Sequence, residues 1–167
     1  MPTLIRAEGQ GFVVADDPFT AVADDEVLPP GDVIISLTRF EADGDRLLSE
    51  GRNVGVRVEP GEAVEALAYD LPRIGVVALA FPKHRDGRAF SSAALLRKRL
   101  GFKGEVRAVG DVFLEQAGHM VRCGFDAFEA KEGVTPADWA HVVHRHRHVY
   151  QRAVDARQPA FVEREEG

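Results

Sequence analysis

The residues best suited to chemistry lie in one basic loop, residues 81–92, which follows the most apolar stretch of the chain. The loop carries three cationic side chains and two serines: Lys83, Arg85, Arg88, Ser91 and Ser92. Guanidinium groups pair bidentately with sulfur and phosphorus oxyanions, and the backbone N–H groups at a helix start add further donors. Because Ser91 or Ser92 can cap a following helix, the pattern predicts a site for an oxyanion or for an acidic partner surface.

Carboxylates near the ends of predicted strands are candidates to support the basic loop: Glu59, Asp86, Asp111 and Glu129. The carboxyl ends of parallel strands meet at one edge of a sheet, where ligands usually bind. A carboxylate at that edge can act as a general base or form a salt bridge with the arginines. For Asp111, capping of a helix is a sufficient explanation.

The charge distribution separates this loop from the rest of the chain. Residues 81–104 hold seven basic side chains and one acidic side chain, whereas the whole chain has a formal net charge of −6. The first 32 residues contain seven acids and one base. A nucleic-acid-binding protein is normally basic over a whole face, so this pattern favours a specific anion or an acidic partner and predicts no nucleic-acid binding.

Cofactor signatures are not evident in the sequence. The chain has no G-x-G-x-x-G motif and no phosphate-binding loop, so no nucleotide cofactor is predicted. Its single cysteine, Cys123, excludes an internal disulfide and a four-cysteine iron–sulfur cluster. Cys123 ends a predicted helix, where the dipole disfavours a thiolate, so a buried and inert thiol is predicted.

The histidines near the C-terminus predict no metal site. His144 and His148 are four residues apart and can chelate a metal from one helix face, but no cysteine or carboxylate completes the cluster at the required spacing. On a helical wheel, His146 falls among apolar residues and is expected to be buried. His141, His144 and His148 are expected to be exposed.

The elements that position these groups alternate between strands and helices. Strands are predicted at residues 33–37, 54–58, 75–81, 105–109 and 126–129. Helices are predicted between them, including residues 39–50 and 60–71, and a last helix is capped by Thr135 with Pro136 in its first turn. This order predicts an α/β fold with an open parallel sheet of about five strands flanked by helices. An open three-layer, flavodoxin-like sheet is preferred, and a half-barrel-like sheet also fits.

Three regions are predicted along the chain. Residues 1–31 form a small N-terminal β-hairpin and an acidic arm, residues 32–157 form a single α/β domain, and residues 158–167 form a polar tail. No apolar stretch reaches the length of a membrane span, and the N-terminus lacks the apolar core of a signal peptide. A cytoplasmic protein without a membrane partner is therefore expected.

Several strings of the chain resemble a known bacterial family. The strings are F-P-K-x-R-D-G-R from residue 81, R-A-V-G-D-V from residue 107 and R-C-G-F-D-A-F from residue 122. They resemble a bacterial family of unknown function whose members carry the label of an oxidoreductase involved in sulfite reduction. The label rests on the neighbourhood of sulfite reductase genes, so the resemblance implies a pathway and no catalytic residues.

Two functional hypotheses follow from the resemblance and the basic loop. The first is an accessory protein of sulfur assimilation that binds assimilatory sulfite reductase or delivers an anion or electrons to it. The second is a small enzyme or ligand-binding domain that acts on an oxyanion substrate.

Overall fold

The computed structural model describes residues 2–83 and 86–145. The described residues form eight strands in a single sheet: β1 (Thr3–Glu8), β2 (Gly11–Val14), β3 (Phe19–Ala21), β4 (Asp32–Ser36), β5 (Val54–Val58), β6 (Val76–Phe81), β7 (Glu105–Gly110) and β8 (Ala127–Ala130). Their order is β2-β1-β8-β7-β6-β5-β4-β3. The five predicted strands are β4 to β8, and they pair in parallel as expected.

The N-terminal hairpin was predicted correctly but belongs to the same sheet. β1 pairs antiparallel with β2 and also with β8, so the hairpin extends the edge of the parallel strands. At the other edge, β3 adds a further parallel strand beside β4. The prediction of about five parallel strands is therefore corrected to a mixed sheet of eight, because the first 31 residues supply three more strands.

The preferred three-layer arrangement is wrong, and the sheet is a curled half-barrel. Strands β3 to β8 lie side by side in chain order, so right-handed crossovers place their connections on one face. Successive residues of β6 lie in different apolar clusters, as expected for a sheet with helices on one face only. Val77 and Leu79 of β6 belong to the main core with the helices, whereas Ala78 and Ala80 belong to a smaller cluster on the inner face of the sheet.

A short crossing segment, residues 15–18, explains the curl. It joins β2 to β3, which lie at opposite ends of the strand order. Seven steps between neighbouring strands would separate these edges by about 33 Å in a flat sheet. The chain from Val14 to Phe19 spans at most about 18 Å. The edges must therefore approach each other, and the crossing segment passes over the inner face.

Four helices of the described part cover the outer face: α1 (Leu37–Ser49), α2 (Arg88–Lys98), α3 (Ala117–Cys123) and α4 (Pro136–Val143). Ser36 caps α1 by accepting a hydrogen bond from the N–H of Arg39 at 3.1 Å. α4 begins with the predicted Thr135 cap, which forms a reciprocal capping box with Asp138.

The predicted helix at residues 60–71 is replaced by two short 3-10 turns, Val64–Leu67 and Leu71–Arg73. Gly61 has a φ of +93°, which turns the chain away from a helical path. Pro72 has no N–H to bond back to the preceding turn, so a helix from residue 60 cannot continue through it. Within the described ranges, no helix has both the length and the apolar character needed to cross a bilayer.

Candidate functional site

The basic loop lies at the carboxyl edge of the sheet, directly after the buried strand β6. Lys83 is exposed, and the side chain of Arg88 is 64% exposed. The guanidinium of Arg88 donates two hydrogen bonds to Asp86, Nε to Oδ1 at 3.1 Å and Nη2 to Oδ2 at 2.8 Å. Arg85, together with His84, lies outside the described residues. The described loop therefore presents one exposed lysine and one exposed ion pair.

The predicted serine cap of α2 is wrong, because the helix begins earlier. Arg88 is its first residue, and Ser91 and Ser92 lie in the second turn. Asp86 Oδ1 accepts a hydrogen bond from the backbone N–H of Arg88 at 3.1 Å and takes the capping role. The hydrogen bond from the Arg88 side chain is the main cause that lowers the pKa of Asp86. A carboxylate thus already occupies part of the helix start that was expected to hold an anion.

Six of the seven bases of this region lie in the described residues, and these six divide between two ends of the molecule. Arg97 lies near the end of α2, about 14 Å along the helix axis from Arg88. Its guanidinium donates to the carbonyl oxygens of Gly124, Phe102 and Gly104 at 2.8–3.0 Å. Arg97 therefore fixes loops at the amino edge of the sheet and adds no charge to the basic loop.

Two predicted supporting carboxylates lie at the carboxyl edge, and each forms its own ion pair. Glu59 pairs with Arg57 at 2.6 Å, and Asp111 pairs with Lys131 at 3.0 Å. Asp111 does not cap a helix, since the turn after it begins at Leu114 with Phe113 in the cap position. With the Asp86–Arg88 pair, the described carboxyl edge carries three ion pairs, and Lys83 is exposed beside them.

Glu129 belongs to β8 and lies on the inner face of the sheet. It is half-buried and pairs across the ladder with Leu4 of β1. Burial is the main cause that raises the pKa of Glu129, and the charges of Arg107 and Arg57 oppose it. Because both arginines act on its carboxyl group, Glu129 shares the interior of the half-barrel with them.

Glu129→Gln should make the protein relatively more stable as the pH rises. The raised pKa means that ionisation of Glu129 costs more in the folded chain than in the unfolded chain. The free energy of unfolding of the wild type therefore decreases as the pH rises from the pKa of Glu129 in the unfolded chain, about 4.3, to its raised pKa in the folded chain. Urea unfolding of both proteins at several pH values measures the difference. A difference in unfolding free energy that is independent of pH would contradict this prediction.

Three arginines of the described strands form a row across the inner face that sequence analysis missed. Adjacent strands pair in register through Arg57, Ala78, Arg107, Ala127 and Arg6. Two alanines separate the arginines, so long cationic side chains alternate with small ones. The sequence does contain an indication of a buried charge, because Arg107 lies between Val106 and Ala108 in a largely apolar strand.

Arg107 is the most buried charge in this row. Its side chain is 0% exposed and binds Asp17 of the crossing segment, through Nη1 to Oδ2 at 2.7 Å and Nη2 to Oδ1 at 3.2 Å. Its Nε donates to Glu105 at 2.7 Å, and Glu105 also pairs with Arg6 at 2.7 Å. This cluster ties the crossing segment to the middle of the sheet, so its first role is structural.

A family model matches most of the chain. Residues 55–161 match the family described as "Bacterial protein of unknown function (DUF934)". The chain belongs to the DUF934 family. No curated protein matches it. The DUF934 match includes the basic loop and strands β6 to β8, and therefore includes the strings noted in the sequence.

Other candidate ligands of this DUF934 protein do not converge on a metal centre. In residues 2–83 and 86–145, no group of three or more metal-binding side chains comes together. Cys123 is half-buried, with its Sγ 3.8 Å from His119 Nε2. His141 and His144 are exposed, as predicted. His146 and His148 lie outside the described residues.

Proposed function

We propose that this DUF934 protein is an accessory protein of assimilatory sulfite reduction that docks on the reductase through the carboxyl edge of its sheet. The strings shared with the family labelled for sulfite reduction support the pathway. The form of the carboxyl edge supports docking. Exposed charges are spread over several loops there, in the manner of a protein-binding surface.

The exposed ion pairs of the carboxyl edge carry the proposal. Arg88 and Lys131 project from different elements, with side chains 64% and 50% exposed, and Lys83 is exposed beside them. Exposed ion pairs contribute only about 0–1 kcal/mol each, so these cations can exchange their own carboxylates for those of a partner. Charges at the rim of an interface chiefly steer association and make it sensitive to salt.

Binding to purified assimilatory sulfite reductase tests the docking surface. The double variant Lys83→Ala with Arg88→Ala should bind about tenfold more weakly at low ionic strength, because it removes two steering charges. The matched control is Lys98→Ala with Arg99→Ala, which removes equal charge from exposed residues at the other end of α2. The control should bind like the wild type.

Two outcomes would contradict docking. One is the absence of binding between the wild-type protein and the reductase, and the other is equal weakening in both double variants. A deletion strain gives the functional check, since the Lys83 and Arg88 variant should fail to restore growth on sulfate while the control restores it.

A second candidate function is the binding of a small oxyanion by the isolated protein. The observation in its favour is the bidentate ion pair of Arg88 with Asp86, since the same guanidinium geometry also suits sulfite or sulfate. Sulfite should then raise the melting temperature of the wild type in the absence of the reductase. No such rise should occur in the Lys83 and Arg88 variant.

A further inference from the structure

A cavity of about 420 Å³ lies beside the carboxyl end of β4, apart from the basic loop. Its walls come from β3, the loop that follows β3, Ser36 at the start of α1, and Arg57 of β5. Ser36 and Arg57 are partners in the β4–β5 ladder, so the cavity opens from the rim of the inner face. The volume lies in the range of about 300–1,000 Å³ that is typical of small-molecule sites.

Arg57 offers unused hydrogen-bond donors to this cavity. Its Nε donates to Glu59 at 2.6 Å, whereas Nη1 and Nη2 make no hydrogen bond with the described residues. By contrast, both terminal nitrogens of Arg39 and Nη2 of Arg52 donate to backbone carbonyl oxygens of residues 23–29. The side chain of Arg57 is 45% exposed, so its free nitrogens are accessible to a ligand. An incoming carboxylate is their natural partner.

Two carboxylates line the same cavity from the loop after β3. Asp24 Oδ1 accepts a hydrogen bond from the Ser36 hydroxyl, and Glu26 Oε2 accepts one from the N–H of Ala23 at 3.0 Å. The second oxygen of each carboxylate has no hydrogen-bond partner in the described part of the chain. These oxygens can accept hydrogen bonds from a cationic group.

The opposite charges of the lining select the class of ligand. A simple anion would meet the repulsion of Asp24 and Glu26, and a simple amine would meet that of Arg57. A ligand with one group of each sign satisfies both. Ala21 and Ile34 supply apolar wall for a short side chain.

We propose that this cavity binds an α-amino acid with a small side chain. Arg57 holds the carboxylate, and Asp24 and Glu26 hold the ammonium group. This site uses neither Lys83 nor Arg88 of the docking surface, although its Arg57 belongs to the Arg57–Glu59 pair on the same carboxyl edge.

Thermal unfolding of the full chain with L-alanine, L-serine or L-cysteine, each alone, tests the site. At a concentration one hundred times its Kd, a bound amino acid should raise the melting temperature by about 5–10 °C. Acetate and methylammonium, which each carry one of the two charges, should produce no comparable rise. Stabilisation by acetate alone, or by none of the amino acids, would overturn the proposal.

Variants locate the binding on the named residues. Arg57→Gln and Asp24→Asn should each weaken binding of the stabilising amino acid at least about tenfold, measured by calorimetric titration. Because Asp24 also receives the Ser36 hydroxyl, Glu26→Gln provides a second test on the acidic side. Arg46→Gln is the matched control, since Arg46 is exposed on α1 and pairs with Asp43 and Glu50 outside the cavity. Unchanged binding in Arg57→Gln would refute the assignment. The double alanine variant at Lys83 and Arg88 should bind the amino acid normally, so the two proposals can fail separately.

Discussion

Replacing Arg107 by alanine should lower the free energy of unfolding by about 3–5 kcal/mol. The side chain is 0% exposed, and its removal leaves Asp17 without the Arg107 ion pair and Glu105 with Arg6 alone. Buried charges that lose a partner are costly because water cannot replace it fully. The crossing segment also loses its anchor to β7. Urea unfolding, followed by circular dichroism, measures the loss.

Two comparisons make the Arg107 result interpretable. Arg6→Ala removes a 36% exposed partner of the same Glu105, so its cost should stay within about 1 kcal/mol. A double-mutant cycle of Asp17→Asn with Arg107→Met isolates the coupling between the two side chains. A loss below about 1 kcal/mol for Arg107→Ala would show that the cluster is well solvated and does not hold the crossing segment.

Gly110→Ala should be about as damaging, with an expected loss of about 3 kcal/mol. Gly110 has a φ of +89°, and a Cβ atom there would lie 2.7 Å from the backbone oxygen of Phe81. That oxygen accepts a hydrogen bond from the N–H of Asp111 at 2.7 Å, so it is held in place at the end of β6. The variant therefore combines an unfavourable backbone conformation with a contact that has little room to relax.

Gly51→Ala separates the two causes. Gly51 has a φ of +78°, but no atom lies within 4 Å of the position of an added Cβ. Its loss should therefore be the conformational cost alone, about 1–2 kcal/mol. Equal losses in urea unfolding for the two variants would contradict the predicted clash at Gly110.

The central strands could be predicted because their sequence pattern is local. The run from Val76 to Phe81 is apolar throughout, and both faces of β6 are indeed buried. The curl could not be predicted in this way, since an open three-layer sheet and a half-barrel bury similar strands. The deciding feature is the short length of the crossing segment, residues 15–18, which indicates a curl only when β2 and β3 are known to lie at opposite edges of the sheet.

The candidate site was predictable only in its location. The basic loop does follow β6. However, Asp86, and not Ser91, accepts the hydrogen bond at the start of α2, so a carboxylate offsets part of the positive charge of the loop. The role of Arg107 depends on Asp17, 90 residues earlier in the chain, so no window of neighbouring residues shows the pair. Side chains that contact one another across the sheet can be identified only when the strand order is known.

The pairing of β1 with β8 has a consequence for biosynthesis. Residues 3–6 pair with residues 127–130, so the first strand made must wait for the last strand of the sheet. At ribosomal rates of about 5–20 residues per second, this wait is roughly 6–24 s. During that time the edge of β1 that β8 will cover is an unpaired template for other nascent chains. We therefore expect aggregation during expression to decrease when chaperones are abundant, and the docking of the hairpin to be the last step of folding.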